Sequence, residues 1–260
     1  LADILECGHR TQFGQRQANA SLFDTDAHAK CRCIRDLLLF LAIECLNLEA
    51  ALDVVPEGIA APDDAALAPL ATDPDALERC LVQLEKAASD VAYAPLLLSF
   101  ALVLRRLDEV GSHTPLEPRL AATLDVVDHG PQIWRRLLQG AFDPSMHLFE
   151  TLHSLVTSPL LRTATRALGA SNLSALAYRA VFKGLLLTIT ELVQPEYLPD
   201  LDPLVDLWCL TFRAMPGDVP DGIAALCTQF WTQDIQYPTR ASLLETVRRR
   251  FPASFLPLVR

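Results

Sequence analysis

The sequence lacks any hydrophobic run long enough to cross a bilayer, which takes roughly 20 apolar residues. The best candidate, residues 37–43, is short and lies between Asp36 and Glu44, so it indicates a buried helix turn. Basic residues are also scarce: 22 Lys and Arg stand against 32 Asp and Glu, for a net charge of −10. An acidic chain repels phosphate backbones and anionic lipid surfaces, so we expect no nucleic-acid partner, and we expect no direct membrane span.

Signals for strands and for common catalytic sites are missing too. No Asn-Gly or Asp-Gly hairpin turn is flanked by alternating residues, and β-branched residues do not cluster. The chain has no glycine-rich phosphate loop and no Gly-x-Ser-x-Gly elbow around a nucleophilic serine. We therefore expect an all-α protein without enzyme activity or cofactor. A helical hydrolase or a regulatory subunit of an enzyme is an alternative from another class.

Seven cysteines, an odd number, lie mostly in apolar helical stretches. This usage favours free thiols over a disulfide framework, and we expect an intracellular protein. One cluster near the start resembles a metal site in composition: Cys7, His9, His28, Cys31 and Cys33. Cys31 and Cys33 fall in a predicted helix, where residues two apart point about 200° apart and their sulfurs cannot meet at one ion. We favour no metal, with zinc at this cluster as the alternative.

Helix boundaries are the strongest local signal that the sequence does contain. Four predicted starts place a capping oxygen before a proline: Asp73-Pro74, Asp143-Pro144, Ser158-Pro159 and Asp202-Pro203. Four predicted ends carry a glycine after an apolar helical run: Gly111, Gly130, Gly140 and Gly169. These predicted starts and ends delimit about a dozen helices. The clearer ones lie near 26–52, 74–89, 95–110, 117–127, 131–139, 144–157, 159–168, 172–193, 202–214, 221–231 and 240–250.

The arrangement of these helices predicts an irregular solenoid of the HEAT or armadillo kind. Connections between them are short, which is typical of stacked antiparallel pairs. The 172–193 segment is apolar around most of its circumference, so we expect it to lie between neighbours. We expect 1–260 to form one continuous solenoid segment of a longer protein. Residues 1–25 and 54–74 are the least ordered parts in this prediction.

Aromatic residues are concentrated late in the chain, and Phe230-Trp231 is the pair of most interest. Trp and Tyr dominate the energetics of protein interfaces, so a partner-binding groove is one interpretation and ordinary core packing is the other. Adjacent bulky aromatics on one helix do not easily face the same core. We therefore select Phe230 and Trp231 as candidate partner-binding residues.

From about Tyr178 onward the sequence resembles the N-terminal solenoid of the large inner-ring scaffold nucleoporins, and is closer to the nucleoporin one-eight-eight type. The resemblance covers roughly the last third of the chain and rests on helix-packing residues. These are Tyr178-Arg179-Ala180, Lys183-Gly184-Leu185-Leu186, Glu196-Tyr197-Leu198-Pro199-Asp200, Leu204-Val205-Asp206-Leu207-Trp208-Cys209, Gln229-Phe230-Trp231 and Arg250-Phe251-Pro252, closing on Pro257-Leu258.

The resemblance implies a structural component of the nuclear pore complex at the nuclear envelope, supporting nucleocytoplasmic transport. Its implied partners are other nucleoporins, through short helical motifs of the linker nucleoporins and, in some family members, phenylalanine–glycine repeats. It implies no enzyme activity. The alternative is a HEAT-repeat nuclear transport receptor or another helical-repeat adaptor, since a solenoid and an acidic charge suit both.

Overall fold

In the computed structural model, all regular secondary structure in the described part of the chain is helical. The described residues are 25–52, 79, 80, 82, 84, 91–111, 133–158, 177–193, 197, 198, 201–214, 220–232 and 248. No strand occurs among them, which confirms the all-α prediction for this part of the chain. The chain divides into two compact units, Leu1–Leu148 and Phe149–Arg260, which are described separately.

The first unit begins with helix α1 (Thr25–Cys45) and the short helix α2 (Leu48–Leu52). The sequence predicted one helix over 26–52, and the structure corrects this with a break after Cys45. Asn47 takes a left-handed backbone conformation with φ of 41°, which an asparagine adopts more readily than most residues. The Asn47 carbonyl then accepts from the Ala51 backbone N–H at 3.1 Å and starts α2.

Helix α3 (Ala94–Gly111) is the centre of this unit, and a 3₁₀ turn at Val91–Tyr93 precedes it. All residues from 94 to 104 are buried, so three consecutive turns have neighbours on every side. Helices α1, α2 and α4 (Ile133–Ala141) all pack against α3. Because each buried Leu or Phe side chain contributes about 1.5–3 kcal/mol, this burial is the main stabilising contribution that we identify in the unit.

Helices α3 and α4 are antiparallel. The turn before α3 contacts the 3₁₀ turn at Pro144–Met146, which follows α4. At the other end, the Arg105 guanidinium lies over the Trp134 ring near the start of α4. Gly140 lies inside α4 instead of ending it in a left-handed cap, so the predicted glycine stop is wrong there.

The predicted helix over 144–157 is divided in two. Asp143 caps the first piece, the 3₁₀ turn, by accepting from the Ser145 backbone N–H at 2.8 Å and from the Ser145 hydroxyl at 2.5 Å. His147 then has φ of 45°, in the left-handed region, and interrupts the helix before α5 (Leu148–Val156) begins. The Asp143-Pro144 start is therefore confirmed, and the unbroken helix after it is not.

The second unit contains α6 (Ala177–Leu192), α7 (Asp202–Phe212) and α8 (Pro220–Thr232), which all pack against one another. Residues 182–189 of α6 are buried without interruption, which confirms that this helix is sandwiched. Helix α7 begins near the predicted Asp202-Pro203, but Leu201 is the N-cap residue and no side chain caps the helix. Asp202 lies within the first turn instead.

Several predictions concern residues outside the described ones. They include the helices near 117–127 and 159–168, the starts at Asp73-Pro74 and Pro159, the stops at Gly130 and Gly169, and the segments 1–24 and 54–74. Within the described residues, no helix has the length and hydropathy needed to span a membrane.

Candidate protein-docking site

Helices α7 and α8 bring four aromatic rings together in the second unit. The Trp208 centroid lies 5.9 Å from Phe212, 5.9 Å from Phe230 and 5.2 Å from Trp231. Phe230 is also 5.3 Å from Phe212 and 5.5 Å from Trp231. Three of the five pairs are edge-to-face, the arrangement in which a ring's positive edge meets a negative face. We call these four residues the aromatic cluster.

The predicted pair Phe230 and Trp231 is divided between the interior and the surface. Phe230 has no exposed area, whereas 45% of Trp231 is exposed. Neighbours on a helix point about 100° apart, so only one of two adjacent rings enters a core. Phe230 therefore holds α8 against α7, and Trp231 is the member of the pair that a partner can reach. Binding at this pair stays a prediction.

Small residues surround Trp231 on the exposed side of α8. Ala224 and Thr228 are exposed seven and three residues before Trp231, at spacings that place them beside the tryptophan. Thr232 is also exposed and lies one turn after Thr228, about 100° around the helix from Trp231. The Thr228 hydroxyl donates to the Ala224 carbonyl and the Thr232 hydroxyl to the Thr228 carbonyl, each at 2.8 Å. Because these hydroxyls are engaged by the helix itself, the surface around Trp231 is less polar than its composition suggests. We call Ala224, Thr228, Trp231 and Thr232 the docking face.

Arg179 positions the end of α7 that carries Phe212. Its guanidinium is fully buried, and Nη1 donates to the carbonyls of Thr211 and Arg213, each at 2.7 Å. Its Nε donates to the Tyr178 hydroxyl at 3.0 Å. The last carbonyls of a helix lack hydrogen-bond donors within the helix and carry partial negative charge. A buried arginine supplies the missing donors and a compensating positive charge. Since Thr211 and Arg213 flank Phe212, this clamp fixes one wall of the aromatic cluster.

Sequence reasoning did not assign this role to Arg179. The available signal was a pair of cationic residues one helical turn apart, Arg179 and Lys183, within an apolar helix. The structure buries both. A buried arginine needs hydrogen-bond acceptors, and the two carbonyls that accept from Nη1 lie more than 30 residues along the chain, where no local pattern points to them.

The five residues of the metal candidate lie partly inside and partly outside the described part of the chain. His28, Cys31 and Cys33 lie within α1, as the sequence predicted, while Cys7 and His9 lie outside the described residues. Among the residues described, no group of three or more His, Cys, Asp or Glu side chains is arranged to hold a metal ion. Metal binding that involves Cys7 and His9 stays an untested alternative.

A second exposed apolar row lies on α1, in the first unit. Ile34, Leu37 and Leu41 are exposed at spacings of three and four, so they form one stripe along the helix. The opposite side, with Leu39, Phe40, Ala42 and Ile43, is buried. The row has no aromatic residue and no fixed ring contact, so it is a weaker candidate than the docking face.

No family model, no curated protein and no solved structure matches this chain. The resemblance of the last third to the inner-ring scaffold nucleoporins therefore rests on the quoted residues alone.

Proposed function

We propose that this chain is part of a helical scaffold that holds a partner protein on the docking face of α8. The observation that carries the proposal is the exposure of Trp231 against the buried Phe230 and the partly buried Trp208. Tryptophan is enriched among residues that dominate protein interfaces, and such residues are most effective in a well-packed surround. Trp231 has that surround on one side, through its contacts with Trp208 and Phe230.

Two physical effects favour binding here. Covering the exposed part of a tryptophan removes on the order of 100 Å² from water, which contributes about 2–3 kcal/mol. The ring is also held by its neighbours before a partner arrives, so less side-chain entropy is lost on association. Together these effects make Trp231 the main anchor that we identify on α8.

The docking face suits an amphipathic helix of the partner. Small side chains at Ala224, Thr228 and Thr232 let another backbone approach closely, while Trp231 fills a gap between that helix's own side chains. A helix laid into such a surface presents apolar residues at spacings of three and four. This partner class agrees with the short helical motifs of linker nucleoporins that the resemblance implies.

For the cellular role, we propose a structural component of the nuclear pore inner ring at the nuclear envelope, which binds linker nucleoporins and supports nucleocytoplasmic transport. The proposal draws on the residues quoted from 178 to 258. Phenylalanine–glycine repeats are a secondary proposed ligand. A solenoid of HEAT or armadillo type, continuous through both units, is the proposed architecture. The antiparallel α3–α4 pair and the sandwiched helices α3 and α6 support it.

Localisation of the full-length parent protein tests this cellular role. Expressed with a fluorescent tag, it is expected at the nuclear rim, and a diffuse cytosolic signal would remove the nucleoporin proposal. The transport-receptor alternative makes a different prediction. A receptor binds a small GTPase in its GTP form, whereas a scaffold binds a linker-nucleoporin peptide without any GTPase.

A further inference from the structure

Helix α8 exposes a surface that has no charged side chain. Residues 222–232, which are all but the first two residues of the helix, contain no Asp, Glu, Lys, Arg or His. Many of them are nevertheless exposed: Ala224, Ala225, Thr228, Gln229, Trp231 and Thr232. The exposed side of a surface helix ordinarily carries charged residues, because these stay hydrated there. On α8, exposure is therefore combined with the composition of a covered helix.

The other described helices show how unusual this combination is within the protein. The longest charge-free stretch inside any of them is 94–104 of α3, and every residue of that stretch is buried. Exposed positions elsewhere include charged side chains, such as Glu44 on α1, Arg136 on α4 and Glu150 on α5. In α3 the absence of charge accompanies complete burial by neighbouring helices. The same absence on α8 indicates that another chain covers its exposed side.

Covering the docking face costs little desolvation energy. No ion on α8 loses its hydration, and the hydroxyls of Thr228 and Thr232 keep their hydrogen bonds to the helix carbonyls. The centre of a protein interface is typically depleted in charged residues and enriched in aromatic ones, as this face is. A charged side chain of the partner would fare differently, since it would lose water and meet no opposite charge on residues 222–232.

We infer that the docking face selects a partner helix with an uncharged contact stripe and rejects charge of either sign there. The inference rests on the proposed function and specifies its partner: the contacting side chains are apolar or small, and charged ones are confined to the outer side of that helix. Selection of this kind works by the desolvation of a mismatched charge, which is unfavourable for acids and bases alike. Binding then depends little on ionic strength, because salt screens interactions between charges.

Charges of both signs at Thr228 test the inference. Isothermal titration calorimetry measures binding of the full chain to a synthetic helical peptide from a linker nucleoporin. Thr228→Glu is compared with Thr228→Gln, which has the same shape without the charge, and Thr228→Lys with the uncharged Thr228→Met. Each charged variant is expected to bind about tenfold or more weakly than its uncharged match. Gln229→Glu and Gln229→Lys, exposed on the other side of α8, should stay within about threefold of wild type.

Salt dependence gives an independent readout. Raising the chloride concentration from about 50 mM to about 500 mM should change the wild-type affinity by less than about threefold. Far-ultraviolet circular dichroism confirms that each variant is folded. Opposite effects of Thr228→Glu and Thr228→Lys, or a strong salt dependence of the wild type, would overturn the inference and leave docking itself intact. A wild-type chain that does not bind the peptide would overturn the proposed function, and this inference with it.

Discussion

The guanidinium of Arg179 donates to the carbonyl of Thr211 at 2.7 Å, which joins the start of α6 to the end of α7. The same nitrogen reaches the Arg213 carbonyl, so one buried cation closes the last turn of α7. Arg106 does the same at smaller scale, from α3 to the Leu52 carbonyl at the end of α2. In each unit, an arginine inside one helix thus donates to carbonyls at the end of another helix. These hydrogen bonds come from a distant helix, not from a side chain near that helix end.

Replacing Arg179 by methionine is expected to lower the free energy of unfolding by about 2–4 kcal/mol. The substitution keeps an apolar stem of similar length but leaves buried carbonyls of α7 without their charged donor. Urea denaturation, followed by circular dichroism, measures the change. Arg213→Gln is the control: only the Arg213 backbone takes part in the clamp and its side chain is exposed, so we expect a change below about 0.5 kcal/mol.

The two adjacent aromatics of α8 should differ sharply in their effect on stability. Phe230→Ala empties a fully buried site in the aromatic cluster and is expected to cost about 3–5 kcal/mol. Trp231→Ala removes a half-exposed ring and its edge contacts, for which we expect about 1 kcal/mol. Equal losses for the two variants in thermal or urea unfolding would contradict the division into an interior and a surface ring.

Because Asp143 caps the 3₁₀ turn as a carboxylate, we expect the protein to lose stability in acid. The Ser145 hydroxyl, then the Ser145 backbone N–H, donates to this carboxylate and holds the Asp143 pKa below its ordinary value of 3.8. A lowered pKa in the folded state means that the cap stabilises fully above the ordinary pKa and is lost as the pH falls through the lowered one. Ser145→Ala removes the stronger donor, so a carboxyl titration by nuclear magnetic resonance should show the Asp143 pKa moving back up. An unchanged pKa in Ser145→Ala would refute this cause.

The break between α1 and α2 depends on a left-handed residue, and substitution at Asn47 tests it. Asn47→Gly is expected to be neutral within about 0.5 kcal/mol, because glycine adopts this conformation freely. Asn47→Val should destabilise by about 1–2 kcal/mol, since its branched side chain clashes with the backbone at positive φ. Thermal unfolding compares the two. If valine were tolerated as well as glycine, residues 25–52 would be one helix in solution, as the sequence first indicated.

Sequence patterns predicted most described helices to within a few residues because apolar periodicity extends over whole elements. Helices α3, α7 and α8 start within a residue or two of their predicted positions. The incorrect predictions concern the local backbone conformation. Left-handed residues at Asn47 and His147 interrupt two predicted helices, and an asparagine or histidine at these positions is not a strong sequence signal for a helix break. At Gly140 a glycine simply remains helical.

The candidate site was predictable in part, for similar reasons. Two neighbouring rings on one helix must diverge, so Phe230-Trp231 indicated one buried and one exposed aromatic. Which ring is exposed depends on where α7 lies, and that is a tertiary contact. Arg179 joins α6 to α7 through its hydrogen bonds, and Arg105 joins α3 to α4 by lying over the Trp134 ring. Both contacts link helices that are separated in sequence. Periodicity within one helix carries no information about such pairs.

Binding by the docking face is the most direct test of the central claim. Isothermal titration calorimetry would measure the affinity of the chain for a synthetic helical peptide from a linker nucleoporin, compared with Trp231→Ala. Gln229→Ala is the matched control, an exposed residue of α8 that lies about 200° around the helix from Trp231. We predict a loss of about tenfold or more for Trp231→Ala at unchanged helix content, and wild-type affinity for Gln229→Ala. Equal affinity of all three proteins, or no binding by any of them, would contradict the claim.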